Sequence, residues 1–207
     1  MIGLDHLIYA TPDLDGTVDD LDAALGVRPA KGGRHVGEGT RNALLALGTD
    51  CYLEIVGPDP DQPAPDRPRW LGVDELDTPR LVTWVAKGTD LPRLVADARR
   101  AGIDLGDVLA GSRTRPDSTV LSWRLTDPRR VIAGGVVPFF IDWGESAHPA
   151  PSAPTGVELV SLRAEHPDVT GTGAILERLG LDLPIQPGPA PALVATLHAP
   201  NGIIELR

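Results

Sequence analysis

Cysteine is nearly missing. Cys51 is the one cysteine in 207 residues, so no intramolecular disulfide forms and nothing requires an oxidising compartment. Basic residues are outnumbered, 19 Lys and Arg against 29 Asp and Glu, for a formal charge of −10. That balance argues against nucleic acid, whose phosphates are held by clustered Lys and Arg, and against an anionic membrane surface. Long apolar runs are also lacking. The most apolar later stretch, Val131–Ile141, is broken by Gly134, Gly135 and Pro138 and is too short to span a bilayer. The opening MIGLDHLIYATPDL has no basic stretch followed by an apolar run, so no signal peptide is expected. With 42 % hydrophobic and 23 % charged residues, the chain has the composition of an ordinary globular protein. The expectation is a cytoplasmic protein whose partner is a small molecule.

What the chain does have is glycine and proline, 23 and 21 residues, which implies many short elements joined by turns. Three segments share one plan, at Leu4–Val27, Leu81–Ile103 and Val157–Leu181. Each is an apolar strand-like run, an Asp, an amphipathic helix and a closing glycine. The Asp residues, Asp13, Asp90 and Asp168, recur at spacings of 77 and 78 and suit helix N-caps. Gly26, Gly102 and Gly180 suit the left-handed residue that ends a helix. Leu14, Val18, Leu21 and Leu25 form one apolar stripe at helical spacing. Strand-like runs follow each helix, near 28–36, 42–48 and 51–57, near 107–113, 119–125 and 135–144, and near 183–187, 192–198 and 202–207. The pattern predicts an α+β fold of tandem βαβββ units, a cupped and mostly antiparallel sheet with helices outside. The units span 1–57, 80–145 and 155–207 of a single domain. The proline-rich segment 58–79 reads as an exposed loop, and SAHPAPSAP (146–154) as a second linker.

Alternation decides which side chains share a strand face. His6 lies with Leu4 and Ile8, and Glu54 with Tyr52 and Val56, so each is a polar group set among apolar ones. A buried carboxylate needs a cation, a donor or a metal. Glu205 repeats the arrangement in the last strand, and the match between these strands favours pairing the first unit with the third. Asp142 stands nearly at the same place in the middle unit.

Read together, LDHLIYATPDLD, GGRHVGEGTRNALLALGTDCYLEIVG, SRTRPDSTVLSWRL with VVPFFIDW, and the ending HAPNGIIELR resemble the vicinal-oxygen-chelate superfamily, specifically its glyoxalase-like branch. The resemblance implies paired βαβββ units around a divalent metal that binds neighbouring substrate oxygens. The metal is held by first-strand and last-strand residues of the units. Carried onto this chain, the ligands are His6, Glu54 and Glu205. Thr83 or Ser161 stands where a fourth would be. A set of one His and two carboxylates suits Mn, Fe, Zn or Ni, with a tilt toward Mn or Fe. His35 can supply another nitrogen or shuttle a proton, and Glu54 is the companion candidate for catalysis. Arg113 and Arg115 share a face and are candidates to clamp an anionic ligand. Trp84, Trp123 and Trp143 are candidates for the cavity wall.

Blander readings compete. His6 and Glu54 can be ordinary core or edge residues, and His148, His166 and His198 read as solvated or turn residues. GEGTRN lacks the lysine of a phosphate loop, Cys51 has no partner for nucleophilic chemistry, and the acidic run 13–22 is a solvated helix face. Two function classes stay open: a metal-assisted lyase or isomerase of the glyoxalase type, and a non-catalytic protein that sequesters an antibiotic or metabolite. A second copy of the chain is the candidate protein partner, as a homodimer.

Overall fold

The computed structural model describes residues 3–114 and 119–207. The first unit runs β1 (Leu4–Ala10), α1 (Leu14–Leu25), β2 (Ala30–His35), β3 (Thr40–Ala46) and β4 (Tyr52–Pro58). The second runs β5 (Arg80–Lys87), α2 (Leu91–Arg100), β6 (Val108–Thr114), β7 (Val120–Thr126) and β8 (Phe139–Asp142). The third runs β9 (Glu158–His166), α3 (Val169–Arg178), β10 (Ile185–Pro187), β11 (Ala192–Ala199) and β12 (Gly202–Leu206). The fold is α+β, with a large curved sheet and few helices, in the glyoxalase-like manner.

Local chemistry sets the helices. The carboxylates of Asp13, Asp90 and Asp168 accept from the backbone N–H of Gly16, Arg93 and Gly171 at 3.1, 3.2 and 2.8 Å, taking up donors that a first turn leaves unpaired. Gly26 closes α1 at φ 75°, a conformation that costs a residue with a Cβ free energy. Leu14, Val18, Leu21 and Leu25 are the buried stripe of α1.

The first and second units form one closed barrel, in the order β1-β4-β3-β2-β6-β7-β8-β5. In both, the last strand lies parallel beside the first, β1 with β4 and β5 with β8. The third unit stands apart as a four-stranded sheet, β10-β9-β11-β12. There β11 separates the first strand from the last, so β12 is an edge. The expected pairing of the first unit with the third is therefore corrected. Similar strand sequences fix which face a residue takes, not which strand lies alongside.

The third sheet packs outside the barrel. The Leu81 N–H donates to the Arg207 carbonyl at 2.8 Å and the Asn201 amide to the Ala23 carbonyl at 3.0 Å. One apolar cluster joins Leu7, Leu25 and Leu53 of the first unit to Leu91 and Phe140 of the second and to Leu176, Leu193 and Leu197 of the third. Two smaller clusters pack separately from it. One holds Ile8, Val56, Val85 and Phe139 under Trp70, Leu71, Val73 and Leu76. The other holds Leu44, Ala46 and Tyr52 under Ala150 and Ala153. Both linkers thus contribute buried apolar residues, Trp70, Leu71, Val73 and Leu76 from the first and Ala150 and Ala153 from the second, which leave water, while the proline-rich stretch 60–69 is mostly exposed. Among the described residues no helix is long and apolar enough to cross a membrane.

Candidate functional site

Buried acids and imidazoles gather on the barrel strands of the first unit, at Asp5, His6, His35 and Glu54. In β1 the register against β5 passes from Leu4 opposite Ala86 to His6 opposite Val85, so Asp5 is an extra residue, a bulge. A bulge re-aims side chains that plain alternation would separate. Asp5 Oδ1 and His6 Nδ1 meet at 2.7 Å. On the far side His6 Nε2 lies 3.2 Å from Glu54 Oε2, which β4 brings alongside β1. The His6 ring also stacks on Tyr52, centroids 4.5 Å apart and planes 16° from parallel.

The second oxygen of Glu54 is held from β2 and β3. Asn42 Oδ1 accepts from the Gly33 N–H at 2.8 Å, which turns its NH₂ group to Glu54 Oε1 at 2.5 Å. His35 Nε2 lies 3.4 Å from the same oxygen. Trp70 Nε1 donates to Thr40 Oγ1 at 2.9 Å, and that hydroxyl lies 3.0 Å from His35 Nδ1. Asn42 Nδ2 also lies 3.3 Å from His35 Nε2, so the amide faces both the ring and the carboxylate. Trp143 Nε1 donates to Asp5 Oδ2 at 3.2 Å, and His148 Nε2 stands 3.4 Å from it. The result is one chain, His148–Asp5–His6–Glu54–His35, buried from Asp5 to His35 and partly exposed at His148.

Its electrostatics follow from burial and pairing. Burial by itself would push the His6 imidazole down, but Asp5 and Glu54 outweigh it and raise the pKa to about 9. Burial likewise opposes ionisation of Glu54, and His35 and His6 overcome it, holding the carboxyl well below the usual range. Asp5 is lowered in the same way by His148 and His6 against the cost of burial. His6 is thus an imidazolium between two carboxylates. Burial pushes the Tyr52 phenol up, the nearby Glu54 adding to it, and raises the Cys51 thiol to about 12, which leaves it unreactive.

His6, His35, Glu54, Arg113 and Trp123, singled out in the sequence, line one cavity. The rest of its wall is Ile8, Asn42, Tyr52, Trp70, Leu125, Phe139, Ile141 and Trp143. The void is ≈ 20 Å³, room for about one water. Trp123 and Trp143 are half-buried and tilt against each other at 5.2 Å, as an outer cover. The acids and imidazoles all come from the first unit. The second contributes Arg113 and an apolar wall. Glycines make the fit: a Cβ at Gly32 would stand 2.1 Å from Asn42 Oδ1 and 2.8 Å from Arg113 Nη1, and one at Gly111 would stand 2.4 Å from Trp123 Nε1.

Several expectations are corrected. Glu205 lies exposed on the edge strand β12, in the sheet outside the barrel, so the set His6, Glu54 and Glu205 does not come together. Asp142 forms an ion pair with Arg124 at 2.7 Å. Thr83 turns to donate to the Gly135 carbonyl at 3.0 Å. Trp84 is core, donating to the Val136 carbonyl at 2.8 Å. Arg115 lies outside the described residues. Asp5, Asn42, Tyr52, Trp70 and His148 were not anticipated. Trp70 and His148 sit in the linkers, and plain alternation puts Asp5 on the face opposite His6 because it carries no sign of the bulge.

These donors do not fit a resident divalent ion. Among the described residues, no three His, Cys, Asp or Glu side chains converge as metal ligands. His6 and His35 approach different oxygens of Glu54, the Asn42 amide takes up one of them as well, and Phe139 and Ile141 face them from the second unit.

A model of the glyoxalase-like domain matches residues 4–180. The chain belongs to the glyoxalase-like domain family. It is thereby a member of the vicinal-oxygen-chelate superfamily, in which divalent metals are common. Among solved structures, this glyoxalase-like protein resembles a hypothetical protein from Staphylococcus aureus, with a TM-score of 0.66 and 15 % identity over 99 % of this chain and 84 % of that one; at that identity the likeness is one of fold. Methylmalonyl-CoA epimerase from Mycobacterium tuberculosis gives 0.44 and 21 %, over 67 % of this chain and 86 % of that one. A Streptomyces coelicolor methylmalonyl-CoA epimerase variant, in complex with 2-nitronate-propionyl-CoA, gives 0.47 and 20 %, over 72 % of this chain and 99 % of that one. No curated protein matches the sequence.

Proposed function

We propose that the barrel interior binds one small, planar, oxygenated organic anion without a resident metal, and that the protein sequesters it. The observation that carries this reading is the gathering of scarce residue types at one place. The chain has four Trp, two Tyr and two Phe, and Trp70, Trp123, Trp143, Tyr52 and Phe139 all line this cavity. Aromatic walls hold a flat ligand, while Arg113, 4 % exposed, supplies a guanidinium fork matched to a carboxylate. The void of ≈ 20 Å³ is smaller than such a ligand, so binding on this reading requires Trp123 and Trp143 to move apart.

A second reading, acid–base isomerisation, draws on Glu54. It is an ionised carboxylate in a closed cavity, with His35 beside it as a proton shuttle, the pair a proton transfer next to a carbonyl requires. Against it, His6, His35 and Asn42 already hold both Glu54 oxygens.

Binding of salicylate and phenylpyruvate, followed by tryptophan fluorescence and melting temperature, tests the proposal. Saturable binding of one equivalent is expected, weakened by about tenfold or more in Arg113→Ala, the scale of a lost charge-assisted hydrogen bond. If Arg113→Ala and Trp123→Ala both bind as the wild type does, the reading fails. Deuterium entering phenylpyruvate from D₂O faster than in a Glu54→Gln control would establish isomerisation instead.

A further inference from the structure

Outside the barrel, a groove of ≈ 730 Å³ runs between the second unit, with the end of the 58–79 linker, and the third unit, within the range of small-molecule sites. Its floor is apolar: Leu81, Val137, Phe139 and Leu193 are buried there. Its rim carries Arg80, Arg130 and Arg207 against Glu75. Three arginines thus border this one groove in a chain of net charge −10. Arg80 makes no ion pair among the described residues. Arg130 reaches Asp104 at 3.5 Å and Arg207 reaches Glu165 at 3.0 Å, all four side chains being partly exposed, so neither arginine is locked in a buried pair.

The groove is preformed. The Arg207 carbonyl is fixed to Leu81 on β5 at 2.8 Å, and the Gly135 carbonyl to Thr83 at 3.0 Å. A Cβ at Gly134 would meet Pro191 at 2.4 Å, so the two walls are in direct contact through a glycine. Leu71 and Ala133, at φ 61° and 49°, are non-glycine residues in the left-handed region. Leu71 lines the groove, and Ala133 begins the turn that does. Strain of this kind persists where surrounding structure enforces it, often at ligand clamps. Phe139 lines both the groove and the barrel cavity.

We propose that this groove is a second ligand site, one that takes an amphipathic organic anion with its apolar body on Leu81, Val137, Phe139 and Leu193 and its acid group at Arg80, Arg130 and Arg207. The site gives the third unit a role, since Pro191 and Leu193 form the wall the barrel lacks. It stands independently of the ligand proposed for the interior.

Titration with 8-anilinonaphthalene-1-sulfonate, with decanoate as competitor, tests it on the full chain. One saturable site displaced by decanoate is expected. Arg80→Glu and Val131→Asp, both exposed positions on the groove, should each weaken binding at least fivefold with the melting temperature held. Arg41→Glu, away from the groove, should change nothing. Binding that survives both groove variants overturns the proposal, and so does binding abolished by Trp123→Ala, which would move the probe into the barrel. A dimer in sedimentation that Val131→Asp dissociates also overturns it, because the groove would then be covered by a second copy.

Discussion

Raising the pH should destabilise this protein through a single imidazole. His6 is 2 % exposed and lies between Asp5 at 2.7 Å and Glu54 at 3.2 Å, which hold its pKa at about 9 against an ordinary 6.5. A group raised in the folded state stabilises fully below its unfolded pKa and loses that contribution as pH climbs through the folded value. The window is therefore pH 6.5 to 9, and a shift of that size corresponds to about 3 kcal/mol. In a chain of this length each kcal/mol moves the melting temperature by about 2–4 °C, so a fall of about 6–12 °C is expected. Asp5 and Glu54 act in the other direction. Their lowered pKa values stabilise above the ordinary carboxylate range and lose that effect as pH falls below it, leaving the stability maximum at about pH 5 to 6.5.

Calorimetry from about pH 5 to 10 on the wild type and on His6→Gln measures this. The glutamine variant leaves two buried carboxylates short of their cation and should melt lower throughout, so the comparison is of slopes. The wild-type curve should fall steeply across the window and the variant's should stay shallow. Parallel curves would refute the reasoning, as would a ¹⁵N imidazole resonance of His6 that titrates at or below its ordinary 6.5.

Three further outcomes follow from the same geometry. Adding Mn²⁺, Fe²⁺, Zn²⁺ or Ni²⁺ should leave the melting temperature within about 1 °C, and Glu205→Gln should change neither stability nor ligand binding, because that carboxylate is exposed on an edge strand; a stoichiometric metal by elemental analysis would contradict this. Gly32→Ala should weaken interior ligand binding by about tenfold, since its Cβ would stand 2.1 Å from Asn42 Oδ1 and a lost charge-assisted contact is of that order; calorimetric titration beside the melting curve reads it. Asp13→Ala should cost about 1 kcal/mol by loss of the cap on α1, read by urea denaturation, with ligand binding intact.

The repeated plan was legible because it is local. An Asp cap, a stripe at helical spacing and a closing glycine are written within a dozen residues, so all three helices could be placed from sequence. The inward faces of His6 and Glu54 were legible by alternation, a local signal too. Which strand lies beside which is a long-range matter, and the likeness of GIIELR to CYLEIVG says nothing about a strand inserted between first and last. Glu205 was misplaced for that reason. Asp5 needed a bulge, and Trp70 and His148 needed the knowledge that the linkers fold back against the barrel.

The site is asymmetric, and that asymmetry shapes its chemistry. Two units related by sequence close one barrel, which would allow matching donors from each half. Instead the second half presents Phe139, Ile141, Leu125 and Trp123 opposite His6, His35 and Glu54, and Thr83 is turned out to a backbone carbonyl. A charge at the centre is thus answered from one side only, and the first unit answers it internally: an imidazolium sits between two carboxylates, with a second imidazole and an amide on the remaining oxygen. Such a network is satisfied without any ion. What faces it is an apolar, aromatic half with one guanidinium, and that half is the one the proposed flat organic acid would contact.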